Sequence, residues 1–277
     1  MLRSSDTDLL IEIALKEDIG NEGDITSDAI FESGEYLFGL VSKDSGILCG
    51  IDIFARVMNK VDENIKVVRF FSDGEPISPG NLIAEVSGNV GSILKAERTA
   101  INFVSMLSAT ATQTAVYVQE AAGSAVILDT RKTIPGFREL QKYAVRCGGG
   151  RNHRMGLYDM VMIKDNHIDA SGGITKAVSM VRKKWGTRYF IEVETRNLEE
   201  VKEALECEVD RIMLDNMDNA TMKEAVRLID GKCETEASGN MTPERIPGAA
   251  STGVGYISAG TITSSIKAFD FSLKEKK

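Results

Sequence analysis

The sequence predicts an α/β protein in two parts, a mixed α+β portion followed by a parallel strand–helix array of barrel type. Three observations predict this. From about Gly123 onward, short β-rich runs alternate with helical ones. Nearly every such run carries its unusual polar group at its C-terminal end, and strand ends converge on one mouth in a (β/α) barrel. No GxGxxG and no P-loop glycine pattern occurs, whereas an open doubly wound sheet usually places a glycine fingerprint after its first strand.

In chain order, Asp6–Lys16 reads as an amphipathic helix with Leu9, Leu10, Ile13 and Ala14 as its apolar residues. β-like runs follow at Tyr36–Val41 and Ile65–Phe71, with turns in SDGEPISPGN. Thr99 to Gln119 carries no charge and is long enough to cross a bilayer. Asn102, Ser105, Ser108, Thr110, Thr112, Gln113 and Thr114 make it too polar for that, while Ala100, Phe103, Val104, Leu107 and Ala111 share one helical face. A buried or interface helix is expected. The array then runs AVILDT, a helix over Phe137–Cys147, DMVMIKDNH, Ile174–Lys184, RYFIEVET, Asn197–Cys207, RIMLDN, Asn219–Leu228, CETEASGN, a short helix near Pro243, and GYISAG. This divides the chain into residues 1–110 and 111–261, with 262–277 able to pack back on the first part.

The 277 residues carry a net charge of -8. That argues against a nucleic-acid partner, because phosphate-tracking proteins usually present a basic face. Cys49, Cys147, Cys207 and Cys233 are far apart in sequence and form no CxxC pair, so no zinc cage or redox motif is visible. Acidic residues interrupt the N-terminal segment where a signal peptide needs an unbroken apolar core. A cytoplasmic protein without a membrane partner is expected.

Local charge points to function. Arg131, Lys132, Arg138, Lys142, Arg146, Arg151 and Arg154 face only Asp129 and Glu139 within one short stretch. A solvated helix face accounts for Arg138, Lys142 and Arg146. It accounts poorly for Arg131, Lys132, His153, Arg154 and Lys164, which flank strands and glycines. Guanidinium forks grip carboxylates or phosphates at two points, and lysine supplies a movable charge. A small polyanionic ligand is the natural counterpart.

Carboxylates lie opposite. Side chains two apart on a strand share a face, so Glu192 and Glu194 point one way, as do Glu234, Glu236 and Ser238. Both faces of a barrel strand are covered, so such groups must meet cations, hydrogen bonds or a metal. With Asp215 they suit Mg²⁺ or ribose hydroxyls. Small residues follow the last two strands, ASGN at 237–240 and SAGTITSS at 258–265, where bare backbone lets an anion approach.

The block TRKTIPGFRELQKYAVRCGGGRNHRMGLYDMVMIKDNH, followed in order by IEVE, IMLDN, EASGN and ISAG, resembles the quinolinate phosphoribosyltransferase family. The resemblance runs from about Glu97 to Leu273. It implies an N-terminal α/β sandwich followed by an incomplete (β/α) barrel, working as a homodimer or an assembly of dimers. It implies transfer of phosphoribosyl from 5-phosphoribosyl-1-pyrophosphate to quinolinate with Mg²⁺ and loss of CO₂, for NAD synthesis. Arg131, His153, Arg154 and Lys164 resemble the quinolinate binders, and Arg98 the arginine that reaches the partner subunit's site. Lys132, Glu194 and Asp215 match positions near the phosphoribosyl group and metal, the last two as indirect Mg²⁺ ligands. Ser238, Gly239 and Gly260, with Ser258 beside the last, match the phosphate loops. Lys132, Lys164, Glu194 and Asp215 are the expected catalytic groups. Many members read Thr-His-Ser where this chain has Thr263–Ser264–Ser265, a departure that bears on affinity more than on reaction class.

Two rival readings use the same fold. One is a related phosphoribosyltransferase for another aromatic acid, of the type associated with molybdenum transport. The other is a Schiff-base lyase using Lys164; neighbouring Asp165 argues against the free amine that this chemistry needs.

Overall fold

The computed structural model describes residues 4–276. The chain opens with α1 (Ser4–Ile19), α2 (Ser27–Ile30), β1 (Glu35–Ser42), β2 (Gly46–Ile47), α3 (Ile51–Val61) and β3 (Lys66–Arg69). β4 (Pro76–Ile77), β5 (Leu82–Asn89) and the long α4 (Val90–Ala121) follow. Next come β6 (Val126–Leu128), α5 (Arg138–Cys147), β7 (Val161–Ile163), α6 (Asp165–Ser171), α7 (Ile174–Trp185) and β8 (Ile191–Thr195). The remainder is α8 (Leu198–Glu206), β9 (Arg211–Asp215), α9 (Asn219–Ile229), β10 (Glu234–Ser238), α10 (Ile246–Ala250), β11 (Tyr256–Ser258), α11 (Thr261–Ser264) and β12 (Phe271–Glu275).

Two compact units result, one from Met1–Ala115, Pro135–Gly149 and Ser265–Lys277, the other from Val116–Ile134 and Gly150–Ser264. Pro135–Gly149, which the sequence division leaves in the barrel portion, clusters with the first unit. Its α5 contributes Leu140 and Ala144 to that unit's core.

The first unit is built on an antiparallel sheet of order β12-β1-β5-β3. Phe38, Leu40, Ile83 and Val86 are buried in one core cluster with Phe54, Val57 and Met58 of α3, whose spacing forms one helical stripe. Burial of each such side chain contributes about 1.5–3 kcal/mol. On α1 the buried residues are Thr7, Ile11 and Leu15, while Leu9 and Ile13 are 57% and 54% exposed. The apolar face expected from Leu9 and Ile13 is therefore displaced by part of a turn. Residues four apart fix the true stripe, and Asp8 and Glu12 pair with Arg56 and Lys60 of α3.

No described helix is long and apolar enough to cross a membrane. The polar residues of α4 are accommodated locally. Thr110 and Thr114 donate to the carbonyls of Met106 and Thr110, and Ser108 exchanges hydrogen bonds with the Cys49 backbone. Lys142, expected on a solvated face of α5, is instead fully buried, a place an ammonium keeps only with partners.

The second unit holds six parallel strands in the order β6-β11-β10-β9-β8-β7. Each strand from β7 to β11 neighbours the next, and β6 returns beside β11. That cyclic order belongs to a barrel left open between its first two strands, where a bridge from Leu128 to Arg151 partly spans the gap. Val193, Ile212, Leu214, Ala237 and Ile257 are buried on one face. The alternate residues of the same strands form the site.

Candidate active site

A cavity of about 550 Å³ opens at the C-terminal ends of these strands. Its wall contains Arg131, Lys132, His153, Arg154, Lys164, Glu194, Asp215, Ser238, Gly239, Ser258 and Gly260. Eleven separate sequence expectations thus meet in one place. Arg98 does not line it and is an exposed position on α4.

The cationic wall is anchored from β6. The buried Asp129 carboxylate accepts from the His153 amide at 2.9 Å and from the Asn152 side chain at 2.6 Å, fixing the RNHR loop against the strand end. Thr263 donates to the Lys132 carbonyl at 2.8 Å, tying that residue to α11 after β11. Burial lowers the pKa of the Arg154 guanidinium, and the charge of Arg131 lowers it further. Two guanidinium groups that repel each other in a cavity make a seat for an anion.

Lys164, the last residue before α6, donates to Glu194 Oε2 across 2.5 Å. Asp165 is not its partner; that carboxylate accepts from the Asn166 amide. Asp215 accepts from Asn216 at 2.7 Å. Neither Glu194 nor Asp215 belongs to a cluster of three metal-ligating side chains among the described residues.

Beneath the opening lies a charged layer that sequence reasoning only partly found. Glu192 and Glu236 are fully buried. His153 Nε2 stands 3.0 Å from Glu192 and 3.5 Å from Glu236. Arg211 Nη1 reaches Glu236 at 3.0 Å, its Nη2 reaches Glu234 at 2.6 Å, and its guanidinium stacks on the Tyr256 ring. Arg211 was not singled out, although it sits two and four residues before Met213 and Asp215 on the same face. Thr130, Met162, Asn216, Asn240, Met241 and Thr261 also line the cavity and carry no distinctive spacing.

Burial pulls the His153 imidazole down, but the Glu192 and Glu236 carboxylates beside Nε2 outweigh this and push its pKa up to about 9. The Arg154 amide donates to Nδ1 at 2.7 Å, a bond open only to the neutral ring. Protonation at Nδ1 sacrifices that one bond against the pull of two carboxylates, so the upward direction prevails with a smaller gain. Burial and the Glu236 charge raise Glu192, whereas His153 and Arg211 hold Glu236 down against its burial. Arg211 already occupies the cationic position in this layer.

Comparison with known proteins follows the same lines. The family profiles described as quinolinate phosphoribosyl transferase, N-terminal domain and C-terminal domain match residues 24–108 and 109–274. A chloroplastic nicotinate-nucleotide pyrophosphorylase [carboxylating] of Arabidopsis thaliana is 45% identical, the alignment covering 97% of this chain and 82% of the relative. A mitochondrial quinolinate phosphoribosyltransferase [decarboxylating] of Nicotiana glauca is 44% identical over 96% and 81% of the two chains. The solved nicotinate-nucleotide pyrophosphorylase from Francisella tularensis superposes with a TM-score of 0.96 at 43% identity, covering 100% of this chain and 98% of that one. On this similarity over nearly its whole length, the chain belongs to the quinolinate phosphoribosyltransferase family.

Proposed function

We propose that this protein transfers the phosphoribosyl group of 5-phosphoribosyl-1-pyrophosphate to quinolinate, releasing pyrophosphate and CO₂ and forming nicotinate mononucleotide for NAD synthesis. One observation carries the reading: Arg131, Lys132, Arg154 and Lys164 line one cavity with Glu194 and Asp215. A diacid and a phosphorylated sugar placed side by side need such an arrangement.

Arg131, Arg154 and Lys164 hold the two carboxylates and aim the pyridine nitrogen at ribose C1, while His153, expected among the binders, has both ring nitrogens engaged by Glu192, Glu236 and the Arg154 amide and so positions Arg154. As pyrophosphate leaves, C1 gains oxocarbenium character, which Glu194 and Asp215 stabilise electrostatically. Lys132 offsets charge on the departing group. The nitrogen–carbon bond turns the ring into a pyridinium, whose positive nitrogen stabilises the carbanion left on the adjacent carbon as its carboxylate departs as CO₂, and a proton from solvent then completes that position. Ser238, Gly239, Ser258 and Gly260 receive the 5′-phosphate.

Mg²⁺ fits the carboxylates present. Glu194 and Asp215 would hold it, as one or two carboxylates suffice for an ion that keeps water and phosphate oxygens in its shell. When bound, it would supply positive charge to the pyrophosphate oxygens. The working unit is a homodimer or an assembly of dimers in which the exposed Arg98 enters the partner's site, and the compartment is the cytoplasm. The related transferase for another aromatic acid is disfavoured by the complete carboxylate grip. The Schiff-base lyase is disfavoured by the Lys164–Glu194 bond.

The test is incubation with quinolinate, 5-phosphoribosyl-1-pyrophosphate and Mg²⁺, following CO₂ and the mononucleotide. Nicotinate serves as the competing acid. Turnover of nicotinate with none of quinolinate would reverse the assignment.

A further inference from the structure

Cys49 and Cys147 are separated by roughly a hundred residues, yet their sulfur atoms and an Asp73 oxygen all lie within 4.8 Å of one another. The sequence shows no motif here, because the pairing is made entirely by tertiary packing in the first unit. Each cysteine is held by its backbone. The Cys49 amide donates to Ser108 Oγ at 2.9 Å, and Ser108 Oγ donates back to the Cys49 carbonyl at 3.1 Å. Cys147 ends α5, and the next residue, Gly148, packs so closely on α4 that a Cβ there would lie 2.3 Å from the Ala111 carbonyl oxygen. The two thiols therefore meet because three elements converge, and neither can drift away without moving a helix.

A cluster of two thiols and a carboxylate also suggests a metal site. Asp73 argues against that. Its Oδ1 accepts from the amides of Gly50 and Ile51 at 2.8 and 3.0 Å, and its Oδ2 accepts from the Tyr143 hydroxyl at 2.8 Å. Both oxygens already serve the start of α3 and the face of α5, which accounts for the half-buried carboxylate without a cation. What remains is a pair of adjacent sulfurs.

We propose that Cys49 and Cys147 form a redox-active dithiol that a peroxide converts to an intramolecular disulfide.

The two sulfurs are not equivalent. Burial pushes the Cys49 thiol well up, with a further rise from its hydrogen bond to Cys147. The neighbouring Cys49 thiol lowers Cys147, opposed by burial and the Asp73 charge and aided by Tyr143 and Arg146, with the net direction downward. Cys147 is half-buried and Cys49 fully buried, while Asp73 and Tyr143 line an open cleft with Arg56 and Arg69. Cys147 is thus the attacking thiolate and Cys49 the resolving thiol. In the first step, Cys147 attacks one peroxide oxygen, the O–O bond breaks, and a sulfenic acid forms with release of hydroxide. In the second, the Cys49 sulfur displaces the sulfenic hydroxyl, its proton leaves with that hydroxyl as water, and the S–S bond forms. Two thiols lose two electrons in total and the peroxide gains them. A pair of this kind is reduced at rest in a reducing compartment and oxidised only transiently.

The test uses the full-length protein, reduced and freed of small thiols, treated with hydrogen peroxide, then denatured, alkylated and analysed by intact mass and peptide mapping. Two of the four cysteines should resist alkylation, and a Cys49–Cys147 linked peptide should appear and vanish on reduction with dithiothreitol. Cys147→Ser should abolish the link, and Cys49→Ser should leave a sulfenic acid that dimedone traps at Cys147. If either variant fails to fold, the wild-type map alone decides. Four fully alkylatable cysteines after an oxidant dose that consumes a free thiol would overturn the proposal. So would a linked peptide containing Cys207 or Cys233, or zinc ions alone protecting Cys49 and Cys147 from alkylation.

Discussion

The Nη1 atom of Arg211 lies 3.0 Å from Glu236 Oε2 beneath the floor of the cavity, joining β9 to β10 through two side chains that point the same way. Glu236 is fully buried, and Arg211 is mostly so. Charges in that position are retained only while each has its counterpart. Replacing Arg211 with Met leaves the Glu192 and Glu236 carboxylates without their guanidinium. The variant should lose about 3–5 kcal/mol of stability. Urea unfolding measures this directly, and a midpoint equal to wild type would show that the layer is not held by the pair.

Removing the cations that line the opening should affect chemistry rather than folding. Arg131→Ala and Lys164→Ala should keep the wild-type circular dichroism spectrum and lose at least about 30-fold in kcat/KM for quinolinate, the lower end for truncating one partner of a desolvated charge pair. Near-normal rates in both would end the anion-seat reading.

His153 sets a pH dependence of known sign. Its folded pKa, pushed up to about 9, lies above the ordinary value of 6.5. The stabilisation is therefore complete below pH 6.5 and is lost as pH rises through 9. Over that window the unfolded chain binds fewer protons than the native one, so stability falls with pH by at most about 3 kcal/mol. The Arg154 amide on Nδ1, a bond lost on protonation there, should keep the drop below that limit. His153→Gln should flatten the slope when unfolding is followed at successive pH values.

Gly239 is restricted by both conformation and space. Its φ is +98°, and a Cβ would lie 2.2 Å from Asn216 Oδ1. Gly239→Ala should cost about 1–3 kcal/mol. It should also raise KM for 5-phosphoribosyl-1-pyrophosphate more than KM for quinolinate if, as proposed, this turn receives the phosphate. An equal rise in both would assign the glycine to folding alone.

Arg98→Glu should inactivate the enzyme without disturbing its own chain's cavity. Mixing it with a Lys164→Ala protein should restore part of the activity, because a mixed dimer of the proposed kind would contain one intact site. A fully active Arg98→Glu protein would remove the shared site from the account.

The amino-acid order by itself determined the class of fold, since the alternation of strand and helix and the position of polar groups at strand ends both follow from local periodicity. It also determined which of Arg131, His153, Arg154, Lys164, Glu194 and Asp215 would be singled out, because charged residues beside strand ends are costly unless used. Tertiary structure decided the rest. The buried stripe of α1 runs through Thr7, Ile11 and Leu15 and not through the more apolar Leu9 and Ile13, because packing and the pairs to α3 choose the face. Lys142 is buried on a helix that reads as solvated. Arg211 gains meaning only beside Glu192, Glu234 and Glu236, which come from neighbouring strands. Cys49 and Cys147 meet only after α3, α4 and α5 converge. Periodicity records what one element presents to its surroundings, whereas partners distant in the chain are set by the packing of several elements at once.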